Sequence, residues 1–488
     1  MICEALVIQK NADKNRQRRK TRAYRRDHQL GERSQCGSIR DRNMVPQMKF
    51  SAIFFAALAA VAQDTRTVVE PAIPAACATL NARLSSPLTD ESHLDTKRIQ
   101  QALDSCASGK AVVLSSDGAQ NAFLTGPLDL RRGVTVVISG GVTLFASNNP
   151  RLFDTQPGVC GTITEKGHGC RAVINGDNVS GAAVMGDGVI DGRGGEKILG
   201  QPISWWDLAE QARKGGTQNN PRLMVLSHCD NFTLYRITLK NSQNFHVSYS
   251  NGNGFTVWGV KVWSPQKARN TDGIDPGNST NVTITDSFFH TGDDQIAIKA
   301  GHGAPTTHMT ISHNHFYTGH GMSIGSETDG GASAIRVTDL SIDGADNGIR
   351  VKSNSSRGGL VHDIVYEDVC IRDTKNPIFM DTNYSFTGTA RDLVPDFRDI
   401  TLRNVRVGGG GKVTLDGFDA AHRLGMLFDN VVFDNPGAIK VTAKDADLTV
   451  GPGPFNLPIA GSEVKLTGKP GKAAKNSCEG KFIPFPEQ

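Results

Sequence analysis

Residues 232–239 read Phe-Thr-Leu-Tyr-Arg-Ile-Thr-Leu, and residues 255–262 read Phe-Thr-Val-Trp-Gly-Val-Lys-Val. Both place apolar residues at positions p, p+2, p+5 and p+7: Phe232, Leu234, Ile237 and Leu239, then Phe255, Val257, Val260 and Val262. A two-residue step is the side-chain period of a strand, and the three-residue step between the pairs marks a bend. The pattern returns from Val282, Met309, Ile335, Ile364, Ile400 and Met426, at successive intervals of 23, 27, 27, 26, 29, 36 and 26 residues. Gly, Asn and Asp cluster between the pairs and supply turns. A unit of that size cannot bury an apolar face alone, so it must stack on its neighbours. Short strands at this interval, without long helical patterns between them, predict an all-β fold. It is a single-domain right-handed parallel β-helix, with coils best defined over about 180–435. A leucine-rich repeat is the rival, but its Leu/Asn signature is missing.

Outward from the repeat, residues 96–106 (TKRIQQALDSC) carry Ile99 and Leu103 four apart, with Asp95 or Thr96 placed to cap. They predict a short helix that closes the N-terminal end of the solenoid. Residues 434–488 are richer in Pro, Gly and Lys and are expected to finish the other end. Gly accounts for 53 of 488 residues, about 11% against a usual ~7%. Without a Gly-X-Y period this excludes collagen and fits many tight turns.

The net charge of +4 conceals a division. Residues 1–47 hold 12 Lys and Arg against 5 Asp and Glu, and Lys49 adds one positive charge, so residues 63–488 are net −4. A mildly acidic body does not support whole-chain nucleic-acid binding. The basic run 16–26 (RQRRKTRAYRR) reads as part of a disordered or mis-started leader over 1–47. Residues 48–62 read as a secretory signal: Lys49, then the apolar run Ser51 to Val61, then Ala60-Val61-Ala62 with cleavage near Gln63. The apolar run is too short to span a membrane. The expected product is a secreted, extracellular monomer occupying 63–488, with no membrane or nucleic-acid partner.

Of nine Cys, Cys3 and Cys36 lie in the leader, leaving Cys77, Cys106, Cys160, Cys170, Cys229, Cys370 and Cys478. None forms a CxxC pair, so a zinc reading is weak. Proximity in sequence suggests Cys77–Cys106 and Cys160–Cys170 bridges. An odd count leaves at least one thiol over.

Three turns hold polar clusters: Asn270-Thr271-Asp272, Gly292-Asp293-Asp294 and Gly319-His320-Gly321. A fourth strand reads Gly348-Ile349-Arg350-Val351-Lys352. Aligned on Ile274, Ile296, Met322 and Ile349, the residues Asp272, Asp294, His320 and Asn347 share one register. In a β-helix equal register means stacking at about 4.7–4.9 Å. Arg350 and Lys352 alternate with apolar residues and point out of one face beside the acids. Stacked carboxylates repel, so one of them is expected to have a raised pKa, as a general acid requires. A calcium site or simple turn capping are the bland readings, and neither explains the cationic pair. Carboxylates beside Arg and Lys point to an acidic substrate.

These four motifs, with the runs NTDGIDP (270–276), GDDQIAIKA (292–300) and TGHGMSIGSET (318–328), resemble the polygalacturonases of glycoside hydrolase family 28, above all bacterial endo-acting ones. The resemblance covers roughly residues 70–440. It implies single-displacement hydrolysis of polygalacturonate, with inversion, by a carboxyl pair about 6.5–9.5 Å apart. Asp293 would be the general acid. Asp272 and Asp294 would activate water, and His320 would tune the acid. Arg350 and Lys352 would bind the galacturonate carboxylate, and Tyr384 would contact substrate. No metal or cofactor is implied. The sequence departs from the usual family pattern at Gln295 and Val351.

Trp205 and Trp206 in a loop would stack on sugar rings or anchor the loop. His246 reads as a satisfied core residue, while Asn244, Lys299 and Arg222 are candidates for the groove by position alone. Asn231 and Asn278 begin glycosylation triplets. An exo-acting hydrolase, a calcium-dependent pectate lyase and a non-catalytic glycan binder are the alternatives. The three-Asp cluster argues against the last, since a polyanion binder gains nothing from carboxylates in its groove.

Overall fold

β-Branched and aromatic residues form strands here because each strand turns one face to a shared interior. A computed structural model describes residues 63–88, 90–385, 392–472 and 477–487. The leader 1–47 and the signal-like segment 48–62 lie outside the described residues. The repeat positions stack in parallel register: Phe232 on Phe255, then Val282, Met309, Ile335, Ile364, Ile400 and Met426.

Three parallel ladders run the length of the solenoid. The first includes Ile174–Asp177, Met224–Ser227, Val247–Ser250, Ile274–Gly277, Ile296–Ile298, Met322–Gly325, Asn347–Lys352 and Asn376–Asp381. The second carries the p and p+2 positions, as in Phe232–Tyr235 and Asn253–Trp258. The third carries p+5 and p+7, as in Thr238–Lys240, Lys261–Trp263 and Phe288–His290. Farther along, the second and third run into one strand, as in Ala332–Asp343. One antiparallel pair, Ile163–Thr164 with Thr217–Gln218, joins two loops.

The bend between the second and third ladders has a single chemical cause. Position p+4 is left-handed in all eight coils: Arg236, Gly259, Asp286, His313, Asp339, Asp368, Asn404 and Asn430 have φ between 50° and 64°. Asn, Asp and Gly tolerate that region and β-branched residues do not. Side chains at these bends also bond along the stack. Asn430 Nδ2 donates to Asn404 Oδ1 at 2.8 Å, and Asn404 Nδ2 to Asp368 Oδ1 at 3.0 Å. Phe232, Leu234, Ile237 and Leu239 are all fully buried in one continuous core. Each such side chain contributes about 1.5–3 kcal/mol by leaving water.

The predicted helix spans Thr96–Ser105 and buries Ile99 and Leu103. Asp95 occupies its N-cap position but makes no cap bond. Its carboxylate instead accepts from Leu124 N at 3.0 Å and from Arg98 Nε at 2.6 Å. Cys77–Cys106 and Cys160–Cys170 are bridged, and a third bridge, Cys370–Cys478, was not legible in the sequence. Cys229 is free and buried.

The C-terminal segment does more than finish the last coil. After strand Ser462–Gly468, residues 477–487 return along the outside of earlier coils. Tyr317 Oη donates to Ile483 O at 3.0 Å, and Phe485 packs on Phe288, His290 and Tyr317. The N-terminal segment behaves alike on the second ladder. Asp64 accepts from Thr283 Oγ1 at 2.7 Å, and Tyr235 Oη donates to Glu70 at 2.6 Å.

Candidate active site

The turns that precede strands of the first ladder build the site. Ile274 pairs with Ile296, Ile296 with Met322 and Met322 with Ile349, which is the predicted alignment. Backbone bonds bind the turns themselves. Gly273 N donates to Asp294 O at 2.9 Å, and His320 N to Asp293 O at 2.9 Å. Close stacking needs glycine at one point above all. Gly321 has φ of 86°, and a Cβ there would lie 2.2 Å from Gly348 O.

Asp272, Asp293, Asp294, His320, Lys352 and Tyr384 all line one cleft of about 1290 Å³. Arg350 lies just behind its wall, 5% exposed. Asp293 Oδ1 is 2.9 Å from His320 Nδ1. Asp294 is 1% exposed and fully committed. Its Oδ1 accepts from Arg350 Nη1 at 3.0 Å and Ser323 Oγ at 2.8 Å, and its Oδ2 from Lys352 Nζ at 2.7 Å. Tyr384 lays its ring 4.9 Å from the Arg350 guanidinium and 5.2 Å from Lys352 Nζ. The predicted cation pair is therefore present, and it is paired with a carboxylate of the protein.

Burial and charge set the protonation states apart. Burial, then the charge of Asp293, pushes Asp272 well above the usual carboxylate range, and its Oδ1 has no partner among the described residues. Burial works to raise Asp294 as well, but Lys352 and Arg350 outweigh it and hold it far below that range. For Asp293 the opposing bond from His320 wins over burial, so this carboxyl is lowered. His320 is correspondingly raised, the Asp293 bond overcoming burial. The raised carboxyl among the stacked acids is thus Asp272, and the acid candidate Asp293 is lowered by its bond to His320. Asp293, Asp294 and His320 offer one ligand atom each within 4.8 Å of one another.

Other sequence candidates divide. Trp205 and Trp206 begin a helix, Trp205–Gln211, rather than sitting in a loop; Ser204 and Asp207 cap it reciprocally. Trp205 is fully buried, whereas Trp206 lines the cleft and donates to Ser242 O at 2.9 Å. His246 is a core residue, pushed down to about 4 by burial, with Nδ1 3.0 Å from Asp272 O. Lys299 lines the main cleft. Arg222 and Asn244 line an adjoining pocket of about 440 Å³ that shares Phe245, Arg269 and Asn270 with it. Asn278 spends its Nδ2 on Gly301 O at 2.7 Å and on Ala304 O.

Three residues of the site were missed. Gln295 is fully buried; its Nε2 donates to Tyr317 O at 2.9 Å and Thr318 O at 3.1 Å, and its Oε1 accepts from Gly321 N. It therefore braces the turn that carries His320. Ser323 bonds Asp294. Asp275 is 5% exposed, has no hydrogen-bond partner on either oxygen among the described residues, and is pushed up to about 7 by burial. Asp275, Ala297, Ser323 and Arg350 form one outward row, so the same alignment, extended one residue past each apolar anchor, contained this signal.

The model of glycosyl hydrolases family 28 matches residues 106–449. The chain belongs to this family. A polygalacturonase of Ralstonia nicotianae is 40% identical to this family 28 enzyme over 505 residues, covering 88% of this chain and 94% of the relative. An endo-polygalacturonase of Pectobacterium carotovorum subsp. carotovorum is 44% identical over 374 residues, covering 76% and 90%. The solved polygalacturonase from Erwinia carotovora ssp. carotovora superposes with a TM-score of 0.75 at 42% identity, over 79% of this chain and all of that one. The family 28 match spans every motif that carries the site.

Proposed function

We propose that this glycoside hydrolase is a secreted, endo-acting polygalacturonase that cleaves α-1,4-galacturonosyl linkages with inversion, as a single chain. One observation carries the reading. An Asp–His pair, Asp293 with His320, lines the same cleft as Asp294, whose carboxylate is bonded to a cationic pair suited to uronates. All of these groups come from one chain. The endo-acting relative supports attack within the polymer. Three disulfides suit an oxidising compartment, and no helix among the described residues is long and apolar enough to cross a membrane.

In this reading the polymer lies across the coils. A galacturonate carboxylate meets Lys352 and Arg350, with the Tyr384 ring beside it. Asp293 delivers its proton to the glycosidic oxygen, replenished from His320. A water on the opposite face is deprotonated by Asp294 and positioned by Asp272 as the bond to the leaving sugar breaks. A second assignment has its own observation: the raised carboxyl of Asp272 favours it as the proton store. With polygalacturonate and excess chelator, the enzyme is expected to release reducing ends at an unchanged rate and to form no unsaturated product. Loss of activity with chelator, or unsaturated ends, would point to the lyase alternative.

A further inference from the structure

Asp294 poses a problem for its own role. A base must accept a proton from water, yet both its oxygens are held by cations, Lys352 at 2.7 Å and Arg350 at 3.0 Å, with Ser323 as a third donor. Opposite charges this close favour the ionised form strongly and make it a poor proton acceptor. The cations themselves are not exhausted. Lys352 Nζ has three protons and one hydrogen-bonded acceptor among the described residues, and it lines the cleft. Among the described residues Arg350 Nε is buried without a partner, and its guanidinium lies 5.5 and 4.9 Å from the Phe379 and Tyr384 rings.

We propose that the substrate's own carboxylate switches on the base: a free uronate arriving at Lys352 and Arg350 competes for these cations and loosens their hold on Asp294, which then accepts the proton of the attacking water. This rests on the hydrolase reading above and deepens it. A methyl ester brings no charge to the pair, so an esterified unit at this position occupies the cleft without arming it. Discrimination against esterified pectin then falls on the chemical step, and not on binding alone. The other charged groups around Asp294 do not change on binding in the same way. Lys299 stands on its own coil, Asp293 precedes it, Asp272 and Asp275 lie one coil back, and His320 lies one coil on. Among the described residues, Lys352 and Arg350 are the cations paired with Asp294, and they are placed to take the ligand's charge.

The test is carboxyl carbon-13 titration of the full chain in the Asp293→Asn variant, which binds without turnover. Asp294 is assigned by the resonance lost on adding Asp294→Asn. The variant is measured free, with trigalacturonate, and with the methyl triester at the same concentration; calorimetry follows binding. Trigalacturonate should raise the Asp294 midpoint by about one pH unit, tenfold in proton affinity, and the triester should leave it unmoved. In the wild type, the acid limb of kcat should lie above that of kcat/KM by a similar interval. Bound trigalacturonate with an unmoved Asp294, or an equal shift with the triester, overturns the switch while leaving the hydrolase reading intact. Failure of trigalacturonate to bind at all overturns both.

Discussion

Asp293 and Asp294 are adjacent in sequence but differ in surroundings, and their expected losses differ accordingly. Asp293 faces His320, so Asp293→Asn should lower kcat on polygalacturonate about 10²–10⁴-fold, the usual weight of a general acid. A galacturonide whose leaving group needs no proton should recover most of that loss, whereas Asp294→Asn should stay inactive on it. Rescue of the Asp272→Asn variant instead would transfer the acid role to Asp272, as its raised pKa allows. Asp275 offers a check on the fold. Its carboxyl rises from 3.8 to about 7 on folding, so the folded state binds the proton more tightly than the unfolded chain does. Stability is then greatest below about pH 4 for this group and declines as pH rises toward 7. Asp275→Asn should flatten thermal stability between pH 5 and 8, by about 1 kcal/mol or more; an unchanged pH slope would refute the buried, protonated state. The candidate cluster was legible in sequence because its members precede apolar anchors that fix the register. Asp275 and Ser323 were not, because their row was read only at Arg350. The pairing of Asp294 with those cations depends on side-chain reach, which register alone does not contain.

At the scale of elements, the coil is shaped by its bends. The p+2 to p+5 step was readable as a bend from the apolar spacing, but its left-handed conformation was not, because Arg236 and His313 hide it among the Asn and Asp residues. Asn430, with φ of 59° and 2% exposure, tests the cause. Asn430→Val should cost about 1–3 kcal/mol, from strain and from the lost bond to Asn404. Asn430→Gly relieves the strain and should cost less. Equal losses in denaturant unfolding would remove the conformational account. Gln295 shows the opposite limit. It stood out as a departure from the family, and only the folded coil reveals that its amide bridges to the turn of His320.

On the scale of the whole molecule, sequence periodicity predicted the solenoid because each coil contacts its neighbours at a nearly constant interval. It did not predict the two terminal segments that lie along the outside. Cys370 and Cys478 are separated by 108 residues, and Asp64 meets Thr283 across 219, distances no local pattern encodes. The first ladder carries a cleft lined by Asp272, Asp293, Asp294, His320 and Lys352, to which the proposal assigns acid, base and cationic anchor. The most direct measurement of that arrangement is proton NMR of polygalacturonate during the first turnovers, before mutarotation. The account predicts new reducing ends that appear as the β-anomer and equilibrate later, with none formed by Asp293→Asn. Initial α-anomer, or a signal from unsaturated uronate, would contradict it.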